Sequence, residues 1–318
     1  MSSRLAAVTM VYNEARLLPA WLGHYGSQLG APHCFVLDHG SDDGSTGPDR
    51  PGLRPGEGSV IRIPRSPMDD DRRAASVSQL CASLLNWYDA VIYTDVDELL
   101  LADPALHPDL PTFAASLPDD AVVTAFGLDV VHDPVEEPAI DWNRPVLAQR
   151  KWLRFSSAMC KPALIRRPVR WVPGFHCLAL SEEDRTPRFG PLFLLHLRYA
   201  DLPTGLERLR RTREQPWASA DAGQHQRMAD ANWEAMVRGM AALPRRAPDL
   251  MPDDPTVEHW CQMVLASQAG REGQTYAIDL HLSGDELWRM PERFRRPLSG
   301  GAFRPGIRNP GGGIGFVF

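Results

Sequence analysis

Ala90-Val91-Ile92-Tyr93-Thr94-Asp95-Val96-Asp97-Glu98-Leu99-Leu100 is the stretch that decides the reading of this chain. An apolar, β-branched run of the kind that fills interior strands ends abruptly in acid. Three carboxylates in four positions are costly to bury unless positive charge meets them. Side chains at i and i+2 of a strand share a face, so Asp95 and Asp97 are expected to point together at one spot at the strand's carboxyl end. In open α/β sheets that edge is where ligands bind. A hard divalent cation, which keeps waters and bridges to substrate phosphates, is the natural partner of such a pair.

The surrounding sequence supplies the sheet. Residues 4–12 read as a buried strand, Asn13-Glu14 as a turn, and 15–29 as a helix with Leu17, Leu18, Trp21, Leu22 and Leu29 at helical spacing and Gly30 at its end. Residues 33–37 form a second short strand, followed by the polar loop Asp38-His39-Gly40-Ser41-Asp42-Asp43-Gly44-Ser45-Thr46. This strand–helix–strand unit is the building block of a parallel sheet. A Pro- and Gly-rich stretch at 47–58 reads as an exposed loop, 59–63 as a third strand, and 72–87 as a helix with Ala75, Leu80, Leu84 and Leu85 inward. After the acidic element come a short helix at 109–117 and a strand at 120–127. The texture then changes: 132–190 is rich in Pro, Trp and Arg with strand candidates near 163–167 and 175–180, another apolar strand runs over 191–197, and 203–242 is helical and charged.

With 318 residues the chain can bury a full core. Its net charge of −6 gives no general attraction for nucleic acid or anionic membrane, although residues 205–213 are rich in Arg and leave a local basic site open. Five cysteines, an odd number without C-x-x-C spacing, argue against a disulfide framework or a cysteine zinc site. No apolar stretch approaches the roughly 20 residues of a membrane span. Met1-Ser2-Ser3-Arg4 leads straight into a strand with no signal-peptide pattern, so the cytoplasm is the expected compartment.

In their order these pieces resemble a family 2 glycosyltransferase of the GT-A fold, closest to the bacterial branch that is also similar to the family 92 enzymes. The likeness rests on Val11-Tyr12-Asn13-Glu14, Pro19-Ala20-Trp21-Leu22, Asp38-His39-Gly40-Ser41-Asp42-Asp43-Gly44-Ser45, Asp95-Val96-Asp97-Glu98-Leu99, Gly174-Phe175-His176 and Leu195-His196-Leu197-Arg198-Tyr199, and covers roughly residues 4–215. His39 stands where the family usually has Asn or Asp near the nucleotide base, and Leu197 replaces an aromatic. The resemblance implies an α/β chain with a Rossmann-like, mostly parallel central sheet flanked by helices and a C-terminal helical and irregular extension. The corresponding division is a nucleotide-sugar-binding and catalytic domain at 1–200, a helical part packed on it at 201–299, and a Gly/Pro-rich tail at 300–318.

The same resemblance implies a metal-dependent, inverting transfer of a sugar from a UDP- or GDP-sugar to a hydroxyl of a glycan, lipid-linked or protein acceptor. Asp95 and Asp97 would hold Mn2+ or Mg2+, with His176 or His196 as a further ligand. Val11, Asn13, Glu14, Asp38, Arg72 and Asp95 would line the donor nucleotide, and Glu98 and Lys161 would touch acceptor or phosphate. Arg73, Lys151, Arg154 and Arg198 are further basic candidates for the diphosphate. Trp142, Trp152 and Trp171 could stack on sugar rings or fill the core. Inversion requires a general base, for which Asp129, Asp133, Glu182, Glu183 and Asp184 are available and none stands out. Two other readings stay open. A haloacid-dehalogenase-type phosphohydrolase also places D-x-D after an apolar strand, and a nucleotide-sugar-binding protein without catalysis would keep the same motif.

Overall fold

The computed structural model describes residues 3–47, 58–179, 188–218, 227–267 and 278–299. Most of the expected 47–58 loop, Glu182, Glu183, Asp184 and the 300–318 tail lie outside the described residues. The described part is a mixed α/β structure in which eleven strands join one sheet.

The first four strands run parallel in the order β3-β2-β1-β4. They are β1 (Leu5–Val11), β2 (Cys34–Asp38), β3 (Ser59–Arg62) and β4 (Ala90–Tyr93). Parallel strands need crossover helices, here α1 (Leu17–Leu29) between β1 and β2 and α2 (Asp70–Leu84) between β3 and β4. The chain steps outward from β1 to β3 and then returns past β1 to β4, so the topological switch lies between β1 and β4. Both faces of this half are covered, which is why β1, Thr9 apart, and β4 are continuous apolar runs rather than alternating. Leu5, Ala7 and Val11 pack with Trp21, Leu22 and Tyr25 of α1, while Ala6 and Val8 pack with Ala74, Val77 and Cys81 of α2. Asp69 caps α2 by accepting the Arg72 N–H at 2.9 Å.

Beyond β4 the sheet becomes mixed. After a tight turn come β5 (Glu98–Ala102) and α3 (Leu110–Ala115), then the long β6 (Val122–Val131), β7 (Trp152–Phe155), β8 (Pro162–Ile165) and β9 (Phe189–His196). The antiparallel pairs are β4 with β8, β6 with β8, β6 with β7, and β5 with β9, while β9 runs parallel to β6. The helices α4 (Leu202–Glu214), α5 (Asp230–Ala241), α6 (Pro255–Ala266) and α7 (Glu292–Ser299) follow, with two short strands, β10 (Arg245–Arg246) and β11 (Leu287–Arg289), that extend the sheet edge beside β7.

The structure corrects or refines the sequence reading in several details. The Leu-rich segment after the acidic residues is a strand of its own, β5, and β7 is a further strand in the Trp-rich region. At 175–179 the expected strand is reduced to an antiparallel bridge between Trp171 and Leu178: Gly174 and Phe175 both take left-handed backbone, with φ of 84° and 62°, and turn the chain. The charged region 203–242, expected to be helical, carries the two helices α4 and α5. Asp95 and Asp97 lie in the turn between β4 and β5, not on a strand. Trp152 and Trp171 are buried in the core. All five cysteines are unpaired, and four are buried. Among the described residues no helix is long and apolar enough to cross a membrane.

Gly127 in β6 is the tightest position in the sheet, since a β-carbon there would overlap the Met159 carbonyl carbon and the Ser156 carbonyl oxygen. Gly127→Ala is therefore expected to cost about 3 kcal/mol or more of unfolding free energy in urea titration. His24, on the buried face of α1, donates Nε2–H to the Leu100 carbonyl at 2.7 Å, and burial pushes its pKa down to about 4. The unfolded chain then binds more protons than the folded one between the ordinary histidine pKa and about pH 4. His24 thus withdraws stability as pH falls. Relative to a His24→Gln variant, which keeps a donor for Leu100, the wild type is expected to lose about 2 kcal/mol more between pH 7 and pH 5.

Candidate active site

The chemistry-bearing residues gather at the carboxyl edge of the parallel strands, beside the β1/β4 switch. Asn13 and Glu14 follow β1, Asp38 ends β2, and Thr94 to Asp97 follow β4. Asn13 adopts left-handed backbone, with φ of 56°. Its side-chain oxygen accepts the Asp42 N–H at 2.9 Å, and its amide donates to Asp42 Oδ1 at 2.7 Å. The two loops are thereby stapled together.

A buried hydrogen-bond chain from α1 holds the acidic turn. Trp21 Nε1–H donates to Thr94 Oγ1 at 2.9 Å, and Thr94 donates on to Tyr25 Oη at 3.1 Å. Tyr25 accepts the Leu100 N–H at 2.8 Å and donates to the Glu98 carbonyl at 3.2 Å. The turn closes on itself through Glu98 N–H to the Asp95 carbonyl at 2.9 Å and Asp95 N–H to Glu98 Oε2 at 3.0 Å. Packing and hydrogen bonds therefore fix where the carboxylates stand before any ligand arrives.

Each carboxylate is met by a cation from another element. Asp95 accepts from Arg73 of α2 and from Tyr93 Oη at 3.1 Å, and Lys161 Nζ stands 3.3 Å from its second oxygen. Lys161, just before β8, also donates to Glu98 Oε1 at 2.6 Å. Asp97 accepts from Arg208 Nη1 of α4 at 2.6 Å. The same guanidinium donates through Nε and Nη2 to Glu14 Oε1 at 3.2 and 3.1 Å, and Arg211 Nη2 reaches that oxygen at 3.1 Å. Glu14 is thus tied to α4.

The protonation states follow from this pairing. Burial alone would raise the Asp95 carboxyl, but Arg73 and Lys161 overcome it and hold it down to about 2. Asp97 is more deeply buried, yet Arg208 with His196 holds it well below the ordinary carboxylate range. For Glu14 and Glu98 burial wins over their cations, and both carboxyls are pushed up.

Strand register brings two more groups to the same place. Pairing of β5 with β9 sets His196 opposite Glu98, and pairing of β9 with β6 sets it opposite Asp129. His196 Nδ1–H donates to Asp129 at 2.7 Å, and Nε2 faces Asp97 at 3.6 Å. A carboxylate behind an imidazole is the arrangement that orients a metal-ligating histidine. His176 donates Nδ1–H to the Ala158 carbonyl at 2.6 Å, and burial and the charge of Lys161 lower its pKa to about 3, so the ring is neutral.

Two carboxylates and an imidazole nitrogen are a donor set that suits a divalent cation once His196, whose pKa Asp129 and Asp97 push up to about 9 against burial, gives up its Nε2 proton. Among the described residues, however, no three His, Cys, Asp or Glu side chains form a ready cage for one. Arginine and lysine hold the carboxylates instead. The donors fit the ion; their present partners would have to give way to it.

The remaining candidates divide. Lys161 and Glu98 sit in the cluster as a bonded pair. Arg72 does not: its side chain is 68% exposed and lies near Asp69, whereas Arg73, 15% exposed, turns inward to Asp95. Asp38 is fully buried and engaged by its own loop, accepting from Ser41 N–H at 2.8 Å and Thr46 Oγ1 at 2.6 Å. The Val11 carbonyl accepts the His39 N–H at 2.9 Å. Lys151 is exposed, Arg154 bonds the Gly284 carbonyl and Ser283, and Arg198 lies over the Trp233 ring. Sequence reasoning missed Arg208 and Arg211, although their i, i+3 spacing inside the Arg-rich run 205–213 puts both on one helix face.

No protein-family model and no curated protein matches this chain. Solved structures similar to it include the mannosyltransferase PcManGT from Pyrobaculum calidifontis in complex with GDP-Man and Mn2+, at 16% identity and TM-score 0.26 over 47% of this chain and 41% of that one. The apo-form glycosyltransferase GlyE of Streptococcus pneumoniae matches at 14% identity and TM-score 0.23, over 42% of this chain and 30% of that one. The galactosyltransferase LgtC, in complex with donor and acceptor sugar analogs, matches at 19% identity and TM-score 0.21, over 40% and 46%. The chain thus spans less than half the length of each, and at these TM-scores the likeness carries no argument about what the chain does.

Removing Lys161 leaves a buried carboxylate, Glu98, without its cation. Lys161→Met is expected to lower unfolding free energy by about 3–5 kcal/mol. Adding Glu98→Gln is expected to recover part of that loss, because the double variant buries no unpaired charge. A double-mutant cycle in urea measures the coupling.

Proposed function

We propose that this chain is a metal-dependent glycosyltransferase of the GT-A, family 2 kind, transferring a sugar with inversion from a nucleotide-diphospho-sugar to an acceptor hydroxyl. One observation carries the reading: Asp95 and Asp97 converge with Arg73, Lys161 and Arg208 at the carboxyl edge of the parallel strands, beside the switch point. That edge is where open α/β sheets bind ligands. Paired carboxylates beside guanidinium and ammonium groups offer both a cation site and donors for a diphosphate.

In this reading Asp95, Asp97 and His196 hold Mn2+ or Mg2+, with His176 alongside. Bound there, the ion supplies Lewis-acid stabilisation of the departing diphosphate. Lys161, Arg73 and Arg208 donate to phosphate oxygens, and Asp129 keeps the His196 ring in position. Asn13 and the loop after Asp38 form the nucleotide side, with Val11 and Glu14 at its floor. Asp38 would act there through the shape of its loop, since both its oxygens already accept hydrogen bonds. No residue is assigned as the general base: Asp129 is bonded to His196 and Asp133 to Arg245. The acceptor would be a glycan, a lipid-linked glycan or a protein. Residues 1–200 would form the catalytic part, 201–299 a helical part packed on it and 300–318 a tail. The cytoplasm is the proposed compartment, which five unpaired cysteines suit.

The reading predicts that UDP or GDP together with Mn2+ raises the thermal midpoint. A ligand at 100 times its Kd stabilises by about 2.7 kcal/mol. Asp97→Ala should abolish that shift while leaving the metal-free, nucleotide-free protein folded. Release of phosphate from an aryl phosphate, with no nucleotide-dependent shift, would favour the phosphohydrolase reading instead.

A further inference from the structure

We infer that Arg208 is an exchangeable counter-ion: it holds the cation position on Asp97 in the free protein and passes to the diphosphate when ion and donor arrive together. The inference rests on the donor reading above and goes beyond it, because it says in what order and in what company the ion can bind.

The argument begins with charge. At the carboxyl edge, Asp97 and Glu14 face Arg208 and Arg211, while Asp95 and Glu98 face Arg73 and Lys161. Four carboxylates meet four cations. Asp129 and His196 form a further pair behind Asp97, and Asp70 stands at the rim, 3.7 Å from Arg73. Asp97 and Glu98 are almost wholly buried, so water screens little of this.

A divalent ion arriving alone would add two positive charges to a cluster already close to balance, and would have to displace Arg208 Nη1 from Asp97 with no new acceptor for it, Glu14 already holding Nε and Nη2. A diphosphate arriving alone would bring negative charge against Asp95 and Asp97. Together the two additions cancel: the ion takes the carboxylates, and the released guanidinium finds phosphate oxygens that its planar fork suits. Because binding free energies are linked reciprocally, each of the two must strengthen the other by the same factor.

Geometry favours Arg208 for this part over the other three cations. It is the one that bridges two acids from different strand ends, Asp97 after β4 and Glu14 after β1. Leaving Asp97 does not strip Glu14, which keeps Arg211 at 3.1 Å. Lys161, by contrast, is the cation bonded to Glu98 at 2.6 Å, and its departure would leave that buried carboxylate bare.

Mn2+ binding to the intact protein, followed by water-proton relaxation, which reports ion held by the slowly tumbling macromolecule, tests this without turnover. The wild type should bind Mn2+ at least tenfold more tightly with UDP, GDP or inorganic pyrophosphate present than alone. Arg208→Met, which keeps the apolar stem, should bind Mn2+ alone at least tenfold more tightly than wild type and lose most of the anion effect. Arg208→Lys should stay near wild type for Mn2+ alone. Equal affinity of wild type for Mn2+ with and without pyrophosphate overturns the inference, and this arm holds even if Arg208→Met does not fold. Equal Mn2+ affinity in a folded Arg208→Met and wild type overturns it too. An enhancement by pyrophosphate with none by UDP or GDP upholds the exchange and overturns the nucleotide-donor reading instead.

Discussion

The pairing of buried and half-buried carboxylates with half-buried arginines and a buried lysine around the β4–β5 turn is the constraint on which the rest of this molecule depends. Taking an ion out of water costs several kcal/mol even after relaxation, so such a cluster survives only where geometry is good and every charge has a partner. Here the partners come from three different places: Arg73 from the second helix, Lys161 from the segment before β8, and Arg208 and Arg211 from the fourth helix. The cluster thus ties α2, the β8 edge and α4 to the ends of β1 and β4. A cluster of this kind gives less net stability than an apolar core of equal volume, which makes chemistry the better account of why it is there.

The scaffold is arranged to hold that cluster still. Trp21, Tyr25 and Thr94 form a buried chain of donors and acceptors that ends on the backbone of Glu98 and Leu100. Asp201 caps α4 by accepting from Thr204 N–H and Oγ1, which fixes the register of the helix that delivers Arg208. Gly205, one turn earlier, lets the Trp233 ring of α5 approach where a β-carbon would crowd it at 3.0 Å. Positioning is carried by hydrogen bonds and packing that lie outside the charge cluster, leaving its members able to exchange partners.

Much of the parallel half was legible along the chain. Its strands are short apolar runs bounded by turn residues, α1 buries Leu17, Leu18, Trp21 and Leu22 and ends at Gly30 as expected, whereas α2 buries Ala74, Val77, Cys81 and Leu84 and leaves the expected Ala75 exposed. The strands β5 and β7 were not, because continuous or Trp-rich apolar runs do not reveal a boundary by periodicity. Arg72 and Arg73 show the same limit at one residue's scale. Both sit in the first turn of α2, and a rotation of 100° per residue sends one to solvent and the other to Asp95.

The sequence by itself determined that an apolar strand would end in Asp95, Asp97 and Glu98 at a sheet edge, and that a βαβ unit would precede it. These follow from local physics: hydrophobic runs, turn residues and the price of burying bare acid. Only the tertiary structure decided which charges meet. Arg208 lies 111 residues from Asp97 and 194 from Glu14, and His196 lies 67 from Asp129. Such partners are set by strand register and helix docking, which act across the whole sheet and leave no mark at short range in the chain.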